Sequence, residues 1–200
     1  MDKRTLLVGL LTFLVVGIVA AGAFLFSEPA GFQGTAYTEP YPPAPEFELA
    51  RSSGSFRLAD TRGNIVLLFF GYTSCPDICP TTMSELKTAL ERIGEENAEN
   101  VKVIFVTVDP ERDTPERVQE YVNHFDPDFI GLSGSEAELA PIWNKYGVYR
   151  EIVEGTSAAG YLVNHTARVT MIDQDGYLRV SYGFDAPVEN IVHDLQLLLK

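Results

Sequence analysis

A chain of 200 residues with a formal net charge of −13 and 46% hydrophobic residues is long enough for one domain with a sizeable core, and two would be crowded. No basic stripe or arginine-rich tract interrupts the acidic balance, which argues against nucleic acid as a partner. Two cysteines cannot staple a small disulfide scaffold, so their chemistry has to be local.

Met1-Asp-Lys-Arg4 precedes an uncharged run over residues 5–26. As a helix this run would span roughly 33 Å at about 1.5 Å per residue, enough to cross a bilayer. Lys3 and Arg4 keep the start cytoplasmic, which sends the remainder out to the periplasmic side of a bacterial cytoplasmic membrane. The alternative is a cleaved signal peptide, with Ala21-Gly22-Ala23 as a small-x-small site. We read an uncleaved anchor, because the apolar stretch exceeds an h-region of about 7–15 residues. No cysteine follows the run, which speaks against a lipoprotein. The expected organisation is a stub and anchor over 1–26, a proline-rich extended linker over 27–45, and one domain over 46–200.

Within that domain, Phe47-Glu-Leu49 and Ser55-Phe-Arg-Leu58 read as a small hairpin. Asn64-Ile-Val-Leu-Leu-Phe-Phe70 is a uniformly apolar run, the pattern of a strand buried on both faces. Met83, Leu86, Leu90 and Ile93 then recur at helical spacing until Gly94. A strand over 101–108 follows. Thr114 and Pro115 are placed as N-cap and first residue of a helix that buries Val118, Tyr121, Val122 and Phe125. Phe129 to Leu132 is a short strand, and Ser135 with Glu138 predicts a capping box. Residues 147–167 read as irregular. Arg168 to Asp173 and Tyr177 to Tyr182 flank the hairpin signature Gln174-Asp-Gly176, and an amphipathic helix closes the chain. Strands alternating with helices imply an α/β fold with a central mixed sheet covered on both faces.

Both cysteines lie in the strand-to-helix turn Gly71-Tyr-Thr-Ser-Cys-Pro-Asp-Ile-Cys-Pro80. Pro80 suits a first helical turn, which would put Cys79 at the cap and Cys75 in the loop before it. Unpaired N–H groups and the helix dipole favour thiolate there, so Cys79 is expected to be the more acidic thiol. Cys-x-x-x-Cys spacing alone discriminates weakly between a redox pair and a metal site. His124 and His193 read as solvated or packed helix residues. His165 stands before a sheet strand in a loop that could lie beside the elbow, close enough to approach both thiols. Two thiolates and an imidazole in an open site would suit copper, whereas structural zinc would want a fourth ligand. Asp77 is a hard ligand and reads as a turn residue; Met83 and Met171 are placed like core.

The run Phe70-Gly-Tyr-Thr-Ser-Cys-Pro-Asp-Ile-Cys-Pro80 resembles the metal-site motif of the Sco (SenC/PrrC) family of copper-binding cytochrome c oxidase assembly proteins. Val106-Thr-Val-Asp-Pro-Glu-Arg-Asp-Thr-Pro115, Tyr146-Gly-Val-Tyr149, and Val163-Asn-His-Thr166 leading into Met171-Ile-Asp173 agree with it in order. The resemblance covers about residues 45–199. It implies a thioredoxin-like fold and one copper ion, Cu(I) or Cu(II), bound by Cys75, Cys79 and His165. The implied partner is cytochrome c oxidase subunit II, whose binuclear copper centre the protein would help to load, with an upstream copper donor behind it. No proline stands between Pro141 and Pro187, so the cis-proline that thioredoxins place beside their dithiol is missing where His165 occurs. Two functions follow: a membrane-anchored metallochaperone without turnover of its own, or a thiol–disulfide reductase using the pair Cys75 and Cys79 to keep the oxidase cysteines reduced.

Overall fold

The computed structural model describes residues 31–157 and 160–200, with Phe13 and Gly17 besides. The apolar run 5–26 otherwise lies outside the described residues, among which no helix is long and apolar enough to cross a membrane.

The elements of the unit from Phe32 to Lys200 are β1 (Thr35–Ala36), β2 (Glu48–Arg51), β3 (Gly54–Arg57), a 3-10 turn (Leu58–Thr61), β4 (Ile65–Gly71), α1 (Ile78–Ile93) and α2 (Glu95–Ala98). They continue with β5 (Val101–Thr107), α3 (Pro115–Asn123), β6 (Ile130–Leu132), α4 (Glu136–Lys145), β7 (Arg150–Ser157), β8 (Gly160–His165), β9 (Arg168–Ile172), β10 (Leu178–Gly183) and α5 (Val188–Leu198). Six strands form the central sheet in the order β1-β10-β9-β4-β5-β6. β4, β5 and β6 run parallel, while β9 pairs antiparallel with β4 and β10 with β9. The sheet is therefore mixed, as the sequence predicts.

All seven residues of β4 are buried, which is why its sequence carries no alternation. Helix α1 packs Met83, Leu86, Ala89 and Ile93 inward from one side. The predicted caps are present. Thr114 accepts from the Arg117 N–H with Pro115 at N1, and Ser135 and Glu138 close a reciprocal capping box. β2 and β3 form the expected small hairpin.

Two regions differ from the sequence reading. The proline-rich stretch is not simply an extended spacer. From Gln33 onward it is bonded into the domain: the buried carboxylate of Asp194 accepts from the N–H groups of Gln33 (2.8 Å) and Gly34 (3.0 Å), and from the Tyr182 hydroxyl (2.7 Å). β1 then pairs with β10, and Ala44, itself buried, donates to the Gly176 carbonyl. The compact unit thus begins at Phe32 rather than Glu46. The second region is residues 147–167, expected to be irregular. It holds β7 and β8, a two-stranded antiparallel hairpin outside the central sheet.

Candidate metal centre

Because β4 and β5 are parallel and in register from Ile65↔Val101 to Gly71↔Thr107, the segments that follow them emerge at the same end of the sheet. Ligand sites of open α/β sheets lie there, beyond the carboxyl ends of the strands. Gly71 closes β4. A Cβ at that position would lie 2.8 Å from ring atoms of Phe69 and Phe105, so no larger residue fits without moving the core.

Beyond Gly71 the chain turns through Cys75 into α1. The helix starts at Ile78, with Asp77 at the N-cap position, so Pro80 is its third residue rather than its first. The first-turn N–H groups have no intrahelical partner, and proline is tolerated anywhere among them. One of those orphan donors is the Cys79 N–H, which points at the Cys75 sulfur at 3.4 Å. The helix start therefore acts on Cys75, and the expectation that Cys79 is the more acidic thiol is overturned. The hydrogen bond from the Cys79 side chain, with help from His165 and from the N–H groups of Asp77 and Cys79, pulls Cys75 down to about 4. Cys79, fully buried, is pushed up by the thiolate it faces and by loss of solvent. The pair is one half-buried thiolate and one buried thiol, both free of disulfide.

His165 ends β8 and reaches the same place from the other side. Its Nε2 lies 3.7 Å from the Cys79 Sγ. Its Nδ1 is 3.2 Å from the Thr166 carbonyl, which can only accept, so Nδ1 carries the proton in that bond and Nε2 is the nitrogen presented to sulfur. The ring stands edge-on to Tyr72 and Phe69 with centroid separations of 5.7 and 6.3 Å. Cys75, Cys79 and His165 are thus brought together. Among the described residues, though, no three His, Cys, Asp or Glu side chains are already spaced to enclose a metal ion. The set is convergent, with contacts of 3.4 Å from the Cys79 N–H to the Cys75 sulfur and 3.7 Å from Cys79 to His165. His124 is exposed, and His193 is turned to Asp194 at 2.8 Å; neither approaches the site.

The sequence matches the segment after β5 to the family motif but gives its acids and arginines no role, and the structure supplies one. Asp113, fully buried, accepts from the Thr73 N–H (3.0 Å), the Thr73 hydroxyl (2.6 Å) and the Thr107 hydroxyl (2.7 Å). This ties the elbow to the end of β5. Burial raises the Asp113 carboxyl, while the threonine donors oppose the rise. Arg117 adds bonds to the hydroxyls of Thr73 (3.0 Å) and Ser74 (3.2 Å) from the surface. The signal in the sequence was the charged run Asp-Pro-Glu-Arg-Asp-Thr-Pro115, directly after a buried strand and before a capped helix, where a short polar loop would have sufficed.

Fold and site define a thioredoxin-like α/β domain whose strand–helix elbow carries a dithiol faced by an imidazole. The SCO1/SenC family model matches residues 35–200, and the chain belongs to that family. The SCO2-like protein of Rickettsia felis is 36% identical over 147 residues, 72% of this chain and 71% of its own. The solution structure of apo Sco1 from Thermus thermophilus superposes with a TM-score of 0.75 at 40% identity, covering 84% of this chain and 96% of that one. ScoI of Bradyrhizobium japonicum with copper bound superposes with a TM-score of 0.70 at 36% identity, covering 78% and 99%.

Proposed function

We propose that this protein binds a single copper ion through Cys75, Cys79 and His165 and delivers it to the binuclear copper centre of cytochrome c oxidase subunit II. An anchor over residues 5–26 holds it in the bacterial cytoplasmic membrane with the domain on the periplasmic side, where an upstream donor supplies the copper. The observation that carries the reading is the 3.7 Å separation of Cys79 Sγ and His165 Nε2, with both cysteines free. Metal–sulfur and metal–nitrogen bonds of about 2.3 and 2.0 Å place two donors of a three-coordinate ion roughly 3.7 Å apart. Two sulfurs and one imidazole match copper's preference, and a relative 36% identical has been solved with copper bound. Cys75 is ready as thiolate. Cys79 must give up its proton, so copper uptake releases a proton and weakens on acidification.

The test is copper titration of the purified chain and its His165→Ala variant. Loss of one of three ligands should weaken Cu(II) binding by at least an order of magnitude and abolish oxidase copper-centre assembly in cells. Unchanged Cu(II) affinity in the variant sinks the reading. The thiolate–thiol split favours the second reading, a thiol–disulfide reductase acting on the oxidase cysteines. A half-buried thiolate nucleophile backed by a protonated partner is what that chemistry uses. Disulfide reduction would survive His165→Ala, so the one variant separates the two.

A further inference from the structure

The imidazole side of the site has an unusual foundation. β8 pairs with β7 alone, so no ladder bond ties His165 to the six-stranded sheet. Beside the two-residue link into β9 and a hydrogen bond between Tyr72 and the Val163 main chain, two arginines tie the hairpin to the sheet, each reaching across to a main-chain carbonyl of the opposite segment. Arg112, in the loop after β5, donates from Nη1 to the Tyr161 carbonyl of β8 at 2.9 Å. Arg150, opening β7 and paired in register with His165, donates from Nε to the carbonyl of Val108, the residue after β5, at 2.5 Å. Asp109, fully buried, anchors the first of these: it is ion-paired with Arg112 Nε at 2.5 Å and accepts from the Tyr161 hydroxyl at 2.7 Å. The Arg112 guanidinium also lies over the Tyr161 ring at 3.8 Å and 5.7 Å from that of Tyr72, the residue that opens the dithiol elbow. Arg150 lies 5.2 Å from the ring of Trp143, whose indole N–H is bonded to the Thr107 carbonyl.

We infer that Arg112 and Arg150 form a reciprocal clamp that positions His165 against the dithiol. They are positioning residues for the copper ligand set: neither touches a sulfur or the imidazole, and both fix the strand from which the imidazole projects. The geometry favours arginine over lysine. Arg112 engages a carboxylate, a carbonyl and two aromatic faces at once, which needs a planar fork with several donors rather than a point charge. The inference rests on His165 being a ligand, as proposed above, and its test is built to fail separately from that reading.

The experiment compares wild type with Arg112→Met, Arg150→Met and the double variant in the full chain. The metal-free readout is NMR of the His165 imidazole nitrogens together with amide exchange along β8. The expected result is a shifted or averaged imidazole signal and faster exchange over 160–165, with β4 exchange unchanged. The metal readout is Cu(II) titration: about tenfold weaker binding for each single variant and up to about a hundredfold for the double, the range seen when groups that orient a metal-bound histidine are removed. Arg112→Lys should recover little. If the double variant fails to fold, Arg112→Met decides alone, since Arg150 still holds the base of the hairpin. Wild-type imidazole signals and Cu(II) affinity in the folded variants overturn the clamp. If His165→Ala leaves Cu(II) binding intact, the ligand assignment fails, and the metal-free signals still decide whether the clamp positions the ring.

Discussion

The two halves of the site are built on opposite principles. The dithiol stands on the join between β4, the central strand with every residue buried, and α1, whose first turn supplies donors to sulfur. The imidazole stands on a two-stranded hairpin outside the sheet. Its β7 exposes Glu151, Ile152, Val153 and Glu154 in succession, where a packed strand would alternate. Apolar burial and a seven-residue parallel ladder fix the sulfurs. Side-chain bonds to a neighbouring loop fix the nitrogen. A site assembled this way has one wall set by core packing and one set by a few polar contacts, and substitutions at the second can move the nitrogen without disturbing the sulfurs.

The comparison breaks most visibly in the core. Leu68 is fully buried in β4, between Ile104 and Thr170 in the sheet register. Leu68→Ala should cost about 2–5 kcal/mol, the lost transfer energy plus the cavity left in a strand that cannot collapse. Chemical denaturation checks this. A cost below about 1 kcal/mol would mean that the β4 wall is not set by core packing.

The sulfurs themselves come next. With Cys75 drawn down to about 4, it is fully thiolate at pH 7, whereas an ordinary thiol at 9.0 would be about 1% ionised, a difference of roughly a hundredfold in thiolate. Alkylation of the reduced, metal-free protein, read by mass spectrometry at each cysteine, should modify Cys75 first and lose rate only as pH falls toward 4. Buried Cys79 should lag far behind. The stability sign follows the depressed value. The thiolate's contribution is complete above pH 9 and is lost as pH falls through about 4. Equal rates at the two cysteines, or a Cys75 midpoint near 9, would remove the assignment of Cys75 as the thiolate of the pair.

Asp113 links the elbow to β5, and Asp113→Asn replaces an acceptor of three bonds by a group that must itself find acceptors. About 1–3 kcal/mol of destabilisation is expected. The cost should grow less marked at high pH, because burial already disfavours the charged carboxylate there. Thermal melts of both proteins across pH decide it. A variant as stable as wild type at every pH would show that Thr73 is held by Arg117 instead.

What could be read in the sequence divides along the same line. The β4 run, the α1 stripe, the Ser135–Glu138 box and the Gln174-Asp-Gly176 hairpin are local, each announced by residues within a few positions of one another. The hairpin of β7 and β8 was hidden because its pairing shifts register between Val153 and Ser157 and its exposed face mixes acids with apolar residues. The docking of residues 33–44 was hidden for another reason: its partners, Asp194 for Gln33 and Gly34 and β10 with the Gly176 turn for the rest, lie more than 130 positions away in sequence. His165 was picked out, but its foundation in Arg112 and Asp109 was not, since nothing in an isolated charged loop says which carbonyl it will meet. The reversed acidity of the cysteines comes chiefly from the hydrogen bond between the two side chains and the burial of Cys79, to which a helix start two residues earlier than expected adds. At that position the free N–H groups serve the preceding sulfur.

The smallest effect is expected on the hairpin's exposed flank. Ile152 is 39% exposed and Val153 37%, so each leaves a substantial apolar edge in water, and β7 has no sheet neighbour other than β8. If the hairpin is held by the arginine contacts and by Val163, which is buried opposite Ile152, then Ile152→Ser should cost only about 1 kcal/mol, the part-buried share of an isoleucine side chain. Arg112→Met removes a cation together with its bonds to Asp109 and Tyr161, and leaves the buried Asp109 carboxylate without its ion partner; by the usual cost of such a loss it should exceed the serine substitution several-fold. Parallel denaturant titrations of the two variants give the ratio. A larger loss from Ile152→Ser than from Arg112→Met would mean that apolar contact holds this wall too, and the division between the two halves of the site would disappear.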